Sequence, residues 1–251
     1  MSSTAERLAE LIKTSRSAVF FGGAGVSTES GIPDFRSEDG LFRAQSAYGR
    51  SPEELVSSAV FLREPELFFR YYKENLVAQG AKPNPAHLAL AKMEAAGMLG
   101  AVITQNVDGL HQAAGSENVF ELHGSNHRPY CVSCGQRYSL DYILNPENCR
   151  GALPVCRECG GTVRPDVVLY GEGLDDGTVR GAVAAISAAE LLIVGGTSLS
   201  VYPAAGFLSY FSGPHLALIN KTRGPLDDRA ELALHEPIGE VLGQIARILG
   251  L

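Results

Sequence analysis

The sequence predicts an α/β protein built on a doubly wound parallel sheet, with a small zinc-binding module inserted. Three observations carry that expectation. Short, uniformly apolar runs recur as AVFF (18–21), AVITQ (101–105), VVLYG (167–171), ELLIVGG (190–196) and HLALIN (215–220). Helical patterns lie between several of them, and apolar strands that alternate with helices belong to a parallel sheet covered on both faces. One stretch, 125–165, breaks this rhythm and holds all five cysteines.

Taken in order, MSSTAERLAELIKTSRS opens the chain as an amphipathic helix with Leu8, Leu11 and Ile12 on one face, without the apolar core of a signal peptide. AVFF follows as a strand and runs into GGAGVSTESGIPDFR (22–36). Small residues let a backbone come close to a ligand, and a strand, a glycine-rich turn and a helix start form the usual cradle for a phosphate. The dinucleotide fingerprint wants a third glycine where Thr28 stands, so the pattern alone also fits a surface loop. PELFFRYYKENLVAQ and PAHLALAKMEAAG read as helices, the second closed by Gly97. GTVRGAVAAISAA and EPIGEVLGQIARIL read as two more, the last packing through Ile238, Val241, Leu242, Ile245 and Ile248.

Ligands of doubly wound folds bind beyond the carboxyl ends of the strands. Three polar loops fall there. TQNVDGLH (104–111) offers Gln105, Asn106, Asp108 and His111, which suit ribose hydroxyls and a carboxamide, or simply cap a helix. GGTSLSVYPAA (195–205) repeats the strand–glycine–hydroxyl pattern with Thr197 and Ser198. INK (219–221) ends the next strand with Asn220, in place for an adenosine ribose. Together these loops describe a dinucleotide site with several walls. In ELHGSN (121–126), His123 stands beside Gly124 at a domain junction, where an imidazole suits proton transfer near neutrality. His87 reads as a core residue of its helix, and His127, His215 and His235 have no evident partners in the sequence.

CVSC (131–134) and CREC (156–159) are separated by 21 residues, and each is followed by a glycine, Gly135 or Gly160. Two such pairs supply Cys131, Cys134, Cys156 and Cys159 as four thiolates for tetrahedral zinc; disulfides are the competing reading. Four cysteines close the coordination shell, so the expected ion is structural, and Cys149 stands outside the set. The net charge of −7 argues against a general nucleic-acid surface, which needs clustered Lys and Arg. No apolar stretch reaches the roughly 20 residues that span a bilayer, so no membrane partner is expected and the expected location is the cytoplasm.

GAGVSTESGIPDFRS, TQNVDGLH, ELHG, the two C-x-x-C pairs, GTSLSVYPAA and INK occur in an order that resembles the sirtuins, NAD-dependent protein deacylases. The resemblance runs from about Leu8 to Ile248 and is to compact prokaryotic catalytic cores. It implies a Rossmann-like part over about 1–124 and 166–251, with the zinc-binding insert at about 125–165. It implies NAD consumed as a co-substrate. The acyl oxygen of an acyl-lysine displaces nicotinamide at the ribose, and the acyl group passes to ADP-ribose. His123 matches the catalytic base, with Asn106 in the catalytic set. Gly23, Ala24, Gly25 and Thr28 match the pyrophosphate cradle; Asp34, Phe35 and Arg36 match a loop over the nicotinamide ribose. Gln105, Asn106 and Asp108 match the ribose and nicotinamide pocket, and Gly196, Thr197, Ser198, Asn220, Lys221 and Ile238 the adenosine side. Val168, Tyr170 and Gly171, in VVLYGE, match the strand that takes up the acyl-lysine peptide. Relatives that prefer acidic acyl groups carry Tyr-x-x-Arg in the helix that aligns with FFRYYKENL. Here Tyr71 and Glu74 take those positions, which implies acetyl or another neutral acyl group. Mono-ADP-ribosyl transfer from the same NAD site is the alternative activity, and the resemblance leaves the oligomeric state open.

Overall fold

In the computed structural model, residues 3–33, 45–224 and 226–251 are described. Their largest sheet holds six strands, β1 (Ala18–Gly22), β2 (Ala101–Thr104), β3 (Val119–Glu121), β8 (Leu191–Gly195), β9 (His215–Ile219) and β10 (Leu232–Leu234). All pair in parallel, in the spatial order β10-β9-β8-β1-β2-β3. Counted along the chain within this sheet, that is the 3-2-1-4-5-6 order of dinucleotide-binding folds, in which the connection reverses direction beside the first strand. The register puts Gly22 opposite Thr104 of β2 and Gly195 of β8, so three strands end level. Their loops leave the sheet side by side.

Both faces are covered, and the strands show it. Phe20, Val102 and Ile193 point to one face, while Val19, Phe21, Ile103, Leu192 and Val194 point to the other. The first face packs against three helices, α1 (Thr4–Thr14), α3 (Pro85–Ala95) and α5 (Ile238–Leu249). Helix α1 starts in a capping box in which Ser3 and Glu6 satisfy each other's backbone N–H groups, and it buries Leu8 and Ile12. Helix α5 buries Val241, Leu242 and Ile245. Burial of each such side chain contributes about 1.5–3 kcal/mol. Helix α4 (Asp176–Ala188) and the turn Ala204–Tyr210 cover the second face. Helix α3 closes as expected: Gly97 follows it with φ +72, and its N–H donates to the Glu94 carbonyl.

A third core lies apart. Helix α2 (Pro65–Asn75) and the short helices Pro52–Leu55 and Ser58–Arg63 pack Leu55, Phe61, Phe68, Phe69 and Tyr72 against Tyr138, Ile143, Cys131 and Cys156. The cysteine-bearing segment therefore shares its core with residues well before it in the chain.

Two features differ from the sequence expectation. The run 167–171 is not a strand of the parallel sheet. Strand β7 (Val163–Val167) pairs antiparallel with β4 (Gly124–Cys131), the short β5 (Cys149–Arg150) and β6 (Leu153–Pro154) form a separate antiparallel pair, and residues 168–171 continue past β7 along the Val56–Ser58 segment. The sheet instead takes β3 and β10, each three residues long and too short to show a period. No helix among the described residues is long and apolar enough to cross a membrane.

Candidate active site

The loop after β1 makes two short turns, Ala24–Val26 and Thr28–Ser30. Its glycines let it touch the loop after β8. Gly25 N–H donates to the Gly196 carbonyl at 2.8 Å. A Cβ on Gly25 would lie 2.8 Å from Gly196 Cα, and one on Gly23 2.9 Å from Thr197 Cβ. Gly196 itself has φ +60, and a Cβ there would meet Val26 N at 2.4 Å. The close approach that these glycines permit is thus loop to loop. Two contacts hold the first loop from behind. Asn84, at the start of α3, donates to Val26 O at 2.7 Å and Ser30 Oγ at 3.0 Å, and Glu29 accepts from Gly239 N at 2.8 Å.

Side chains then stitch the three loops together. Asn106 Nδ2 donates to Ser27 Oγ at 3.0 Å, and Ser27 Oγ donates to Asp108 Oδ2 at 2.7 Å. The other Asp108 oxygen accepts from Leu110 N at 2.9 Å, which closes the turn around Gly109, the residue that caps the short helix Leu110–Ala113. Gln105 Nε2 donates to Thr197 Oγ1 at 3.1 Å, and Thr197 N donates to Asn220 Oδ1 at 3.0 Å. Apart from the bond to Leu110, each joins residues far apart in sequence, so the geometry of one loop depends on the others.

His123 lies two residues past the end of β3. Its Nδ1 lies 2.9 Å from the carbonyl of Gln105. A carbonyl only accepts, so Nδ1 carries the proton and the basic lone pair is on Nε2. Its own carbonyl accepts from Val168 N at 2.9 Å, which ties the histidine to the segment after β7. Gly124 has φ +77, and a Cβ there would lie 1.9 Å from Asp166 O. Only glycine fits, and the β4–β7 ribbon can begin immediately after the histidine.

A cavity of about 210 Å³ opens at this edge. It collects Ala24, Gln105, Asn106, Asp108, His123, Val168, Tyr170, Gly171, Gly196, Thr197 and Ser198 from the expected site residues. Gly23 and Gly25 stand behind it in the loop-to-loop contact, and Thr28 donates back to Gly25 O at 3.0 Å. Asn220 reaches the cavity through Thr197. Lys221 is exposed, and Ile238 sits in the core against Gly195. Asp34, Phe35 and Arg36 lie outside the described residues. Tyr71 and Glu74 do not line the cavity: Tyr71 is buried edge-on against Tyr48, whose hydroxyl donates to Glu74. Asn75 and Leu76, one position further on, line it instead. Ser27, 1% exposed at the centre of the network, was hidden among the small residues of its loop.

Behind the loops, His87 and His111 are buried with ring centroids 4.8 Å apart. Desolvation is the largest influence on the basicity of both. Burial lowers His87, against a smaller pull from Asp108. Burial, with His87 adding to it, pushes His111 down to about 3. Both rings are therefore neutral. The remaining histidines gain partners that the sequence did not show: His127 with Asp108 O at 2.8 Å, His215 with Glu231 at 2.6 Å and His235 with Asp227 at 2.8 Å.

The Sγ atoms of Cys131, Cys134, Cys156 and Cys159 all lie within 4.8 Å of one another. Cys131–Cys159 and Cys134–Cys156 are 3.5 Å and 3.7 Å apart. Four sulfurs around zinc, at about 2.3 Å each, form a tetrahedron with edges of about 3.8 Å. The two knuckles turn alike, Gly135 N donating to Cys131 O and Gly160 N to Cys156 O, with φ +74 and φ +73 at the glycines. Four converging thiols with this spacing fit a structural zinc ion. Cys149 lies apart, with Sγ 3.3 Å from Lys73 Nζ.

The Sir2 family model matches residues 23–203. The chain is 55% identical over 240 residues to an NAD-dependent protein deacetylase of Clostridium perfringens, covering 95% of this chain and 97% of the relative. It is 51% identical over 247 residues to an NAD-dependent protein deacetylase of Clostridium tetani, covering 98% and 99%. Among solved structures, Sir2 with a p53 peptide and NAD⁺ superposes with a TM-score of 0.85 at 38% identity, covering 100% of this chain and 99% of the other. Sir2 bound to an acetylated peptide gives a TM-score of 0.85 at 37% identity, with the same coverage. Sequence, sheet order and loop geometry thus meet in one conclusion: the chain belongs to the Sir2 family.

Proposed function

We propose that this protein is an NAD-dependent protein-lysine deacetylase that moves the acetyl group of an acetyl-lysine onto ADP-ribose, releasing nicotinamide. The observation that carries this reading is the single cavity in which loops at the sheet's point of reversal meet His123 and the 167–172 segment. Relatives named NAD-dependent protein deacetylase, and Sir2 structures holding NAD⁺ and acetylated peptide, support the same reading.

The chain's residues divide the work. NAD, when bound, supplies an electrophilic ribose carbon and the hydroxyl that accepts the acetyl group. Ala24 with Gly23, Gly25 and Thr28 shapes the pyrophosphate end. Thr197 and Ser198, with Asn220 behind them and Lys221 nearby, form the adenosine end beside Gly196 and Ile238. Asn106 and Asp108, fixed by Ser27, hold the ribose and carboxamide in one orientation. His123 takes the ribose proton at Nε2, and the Gln105 carbonyl keeps it in the required tautomer. Asp34, Phe35 and Arg36 are assigned to the loop that shields the ribose. Val168, Tyr170 and Gly171 line the path of the lysine, and the zinc module at 125–165 supports that segment through the pairing of β4 with β7. The cavity's described lining contains no Lys or Arg, while Asp108 and Glu172 are acidic. A neutral acyl group suits that wall, whose described residues offer an acidic acyl tail no cation to pair with, the nearby guanidinium of Arg164 being already engaged by Glu172. This supports the expected acyl preference on other ground than Glu74.

Mass spectrometry of an acetyl-lysine peptide, with and without NAD and beside His123→Ala, tests the reading. We expect NAD-dependent loss of acetyl, reduced by about 10²–10⁴-fold in the variant. Undiminished turnover in folded His123→Ala would remove the histidine from the chemistry. A succinyl-lysine peptide should react at least about tenfold more slowly than the acetyl peptide; equal rates would contradict the neutral-acyl assignment.

A further inference from the structure

Arg164 is a buried cation outside the catalytic cavity, and its contacts are arranged in an unusual way. It is 8% exposed, on β7. Its fork grips Glu172 with both nitrogens, Nη1 to Oε1 at 2.7 Å and Nη2 to Oε2 at 3.0 Å. Nη2 also donates to Val167 O at 2.8 Å, and Nε to Pro165 O at 3.3 Å. The guanidinium carbon lies 4.9 Å from the Phe61 ring centroid, so its planar face is covered as well. Glu172 passes the contact on: Oε2 accepts from Leu169 N at 2.9 Å, and Glu172 N donates to Leu169 O at 2.9 Å. Arg164 thus holds both ends of the 167–172 segment, one directly and one through a carboxylate that closes the turn.

That segment is a wall of the cavity, and Glu172 lines it. Its outer edge is tied by Tyr170 N to Val56 O at 3.0 Å and Ser58 N to Tyr170 O at 2.9 Å. None of Arg164's hydrogen bonds goes to the loops at 23–31, 105–109 or 196–199 that form the nucleotide side. Arg164's own bonds thus support the wall that faces acyl-lysine, and that wall meets the nucleotide side at His123, whose carbonyl accepts from Val168 N and whose ring bonds the Gln105 carbonyl.

Resting on the deacetylase reading, we propose that Arg164 is a positioning residue for the acyl-lysine peptide, acting through Glu172 on the 167–172 segment and not on NAD. The bidentate fork is what fixes the turn. A lysine can neutralise Glu172 but is a point charge with no planar fork, so it cannot bond both carboxylate oxygens and Val167 O in the same geometry. Loss of fork geometry loosens the segment and weakens the peptide, while the nucleotide loops, cross-tied by Ser27, Gln105 and Thr197, keep their shape.

The test uses the full chain with its zinc, Arg164→Lys and Glu172→Gln, each checked for folding by thermal melt. Nicotinamide release is followed with acetyl-lysine peptide varied at saturating NAD, and with NAD varied at saturating peptide. The expected result for Arg164→Lys is a rise of about tenfold in peptide KM with NAD KM within about twofold. Glu172→Gln keeps an acceptor for Leu169 N and should give a smaller rise in the same direction. Should the lysine variant not fold, Glu172→Gln decides alone. A folded variant with unchanged peptide KM overturns the proposal, and so do equal rises in both KM values, which mark a general structural role. Absence of NAD-dependent turnover in the wild-type protein would instead remove the deacetylase reading on which the proposal rests.

Discussion

Ser27 receives a hydrogen bond from Asn106, gives one to Asp108, and is 1% exposed. Ser27→Ala leaves a buried amide and a carboxylate without their shared partner, which costs about 1–3 kcal/mol. We expect NAD KM to rise about tenfold while peptide binding measured without NAD is preserved; unchanged NAD KM would show that Asn106 and Asp108 hold their places without it. The buried histidines give a second prediction at this scale. His111, held down to about 3 first by desolvation and then by His87, binds its proton in the unfolded chain near the ordinary value of 6.5. The folded state therefore has its full advantage above about pH 6.5 and loses it as pH falls toward about 3, by up to about 1.4 kcal/mol per pH unit. Urea midpoints measured from pH 6.5 to 4.5 should fall less steeply in His111→Gln; an identical slope would place the titration elsewhere. His123 was legible as a candidate, through the ELHG motif and the glycine beside it, and the structure brings it to the cavity. Ser27 was not, since one hydroxyl among many small residues gives no sign of what it bonds. Tyr71 and Glu74 do not reach the cavity, because one residue along a helix is a turn of about 100°, and it is Asn75 that faces it.

Among the elements, the zinc module has the most to lose. Its thiols hold two knuckles, but its core is shared with Phe68, Phe69 and Tyr72 of helix α2 and neighbouring helices. Structural zinc contributes about 10–16 kcal/mol in small metal-stapled peptides, so removal should open this half of the molecule selectively. Chelation, or Cys134→Ser, is expected to bring protease cleavage within 125–165 and abolish peptide turnover, because β7 carries Arg164 and leads into the substrate segment. The six-stranded sheet has its own core and should keep NAD affinity within about tenfold; simultaneous loss of NAD binding would contradict this division. The cysteine spacing announced the module plainly. Its shared core was invisible, since nothing in a local pattern says which distant helix fills a gap. The apolar run at 167–171 was misplaced for a related reason: a cavity wall and a buried strand require the same residue types.

For the whole molecule, strand order does what no single motif does. Parallel pairing in the order β10-β9-β8-β1-β2-β3, with Gly22, Thr104 and Gly195 level, brings loops from three distant parts of the chain to one edge. Alternating helices and apolar strands made the sheet legible in the sequence. The order of its strands was not, and neither were the bonds between its loops. On the proposed reading, this edge couples nicotinamide release to acetyl transfer from lysine. The most direct test is a stoichiometry by mass spectrometry: nicotinamide released, lysine deacetylated and acetyl recovered on ADP-ribose, all from one reaction of the holoprotein. The account predicts equal amounts of the three, with none formed when NAD is left out. Nicotinamide released with ADP-ribose attached to protein and the acetyl-lysine intact, or deacetylation that proceeds without NAD, would contradict it.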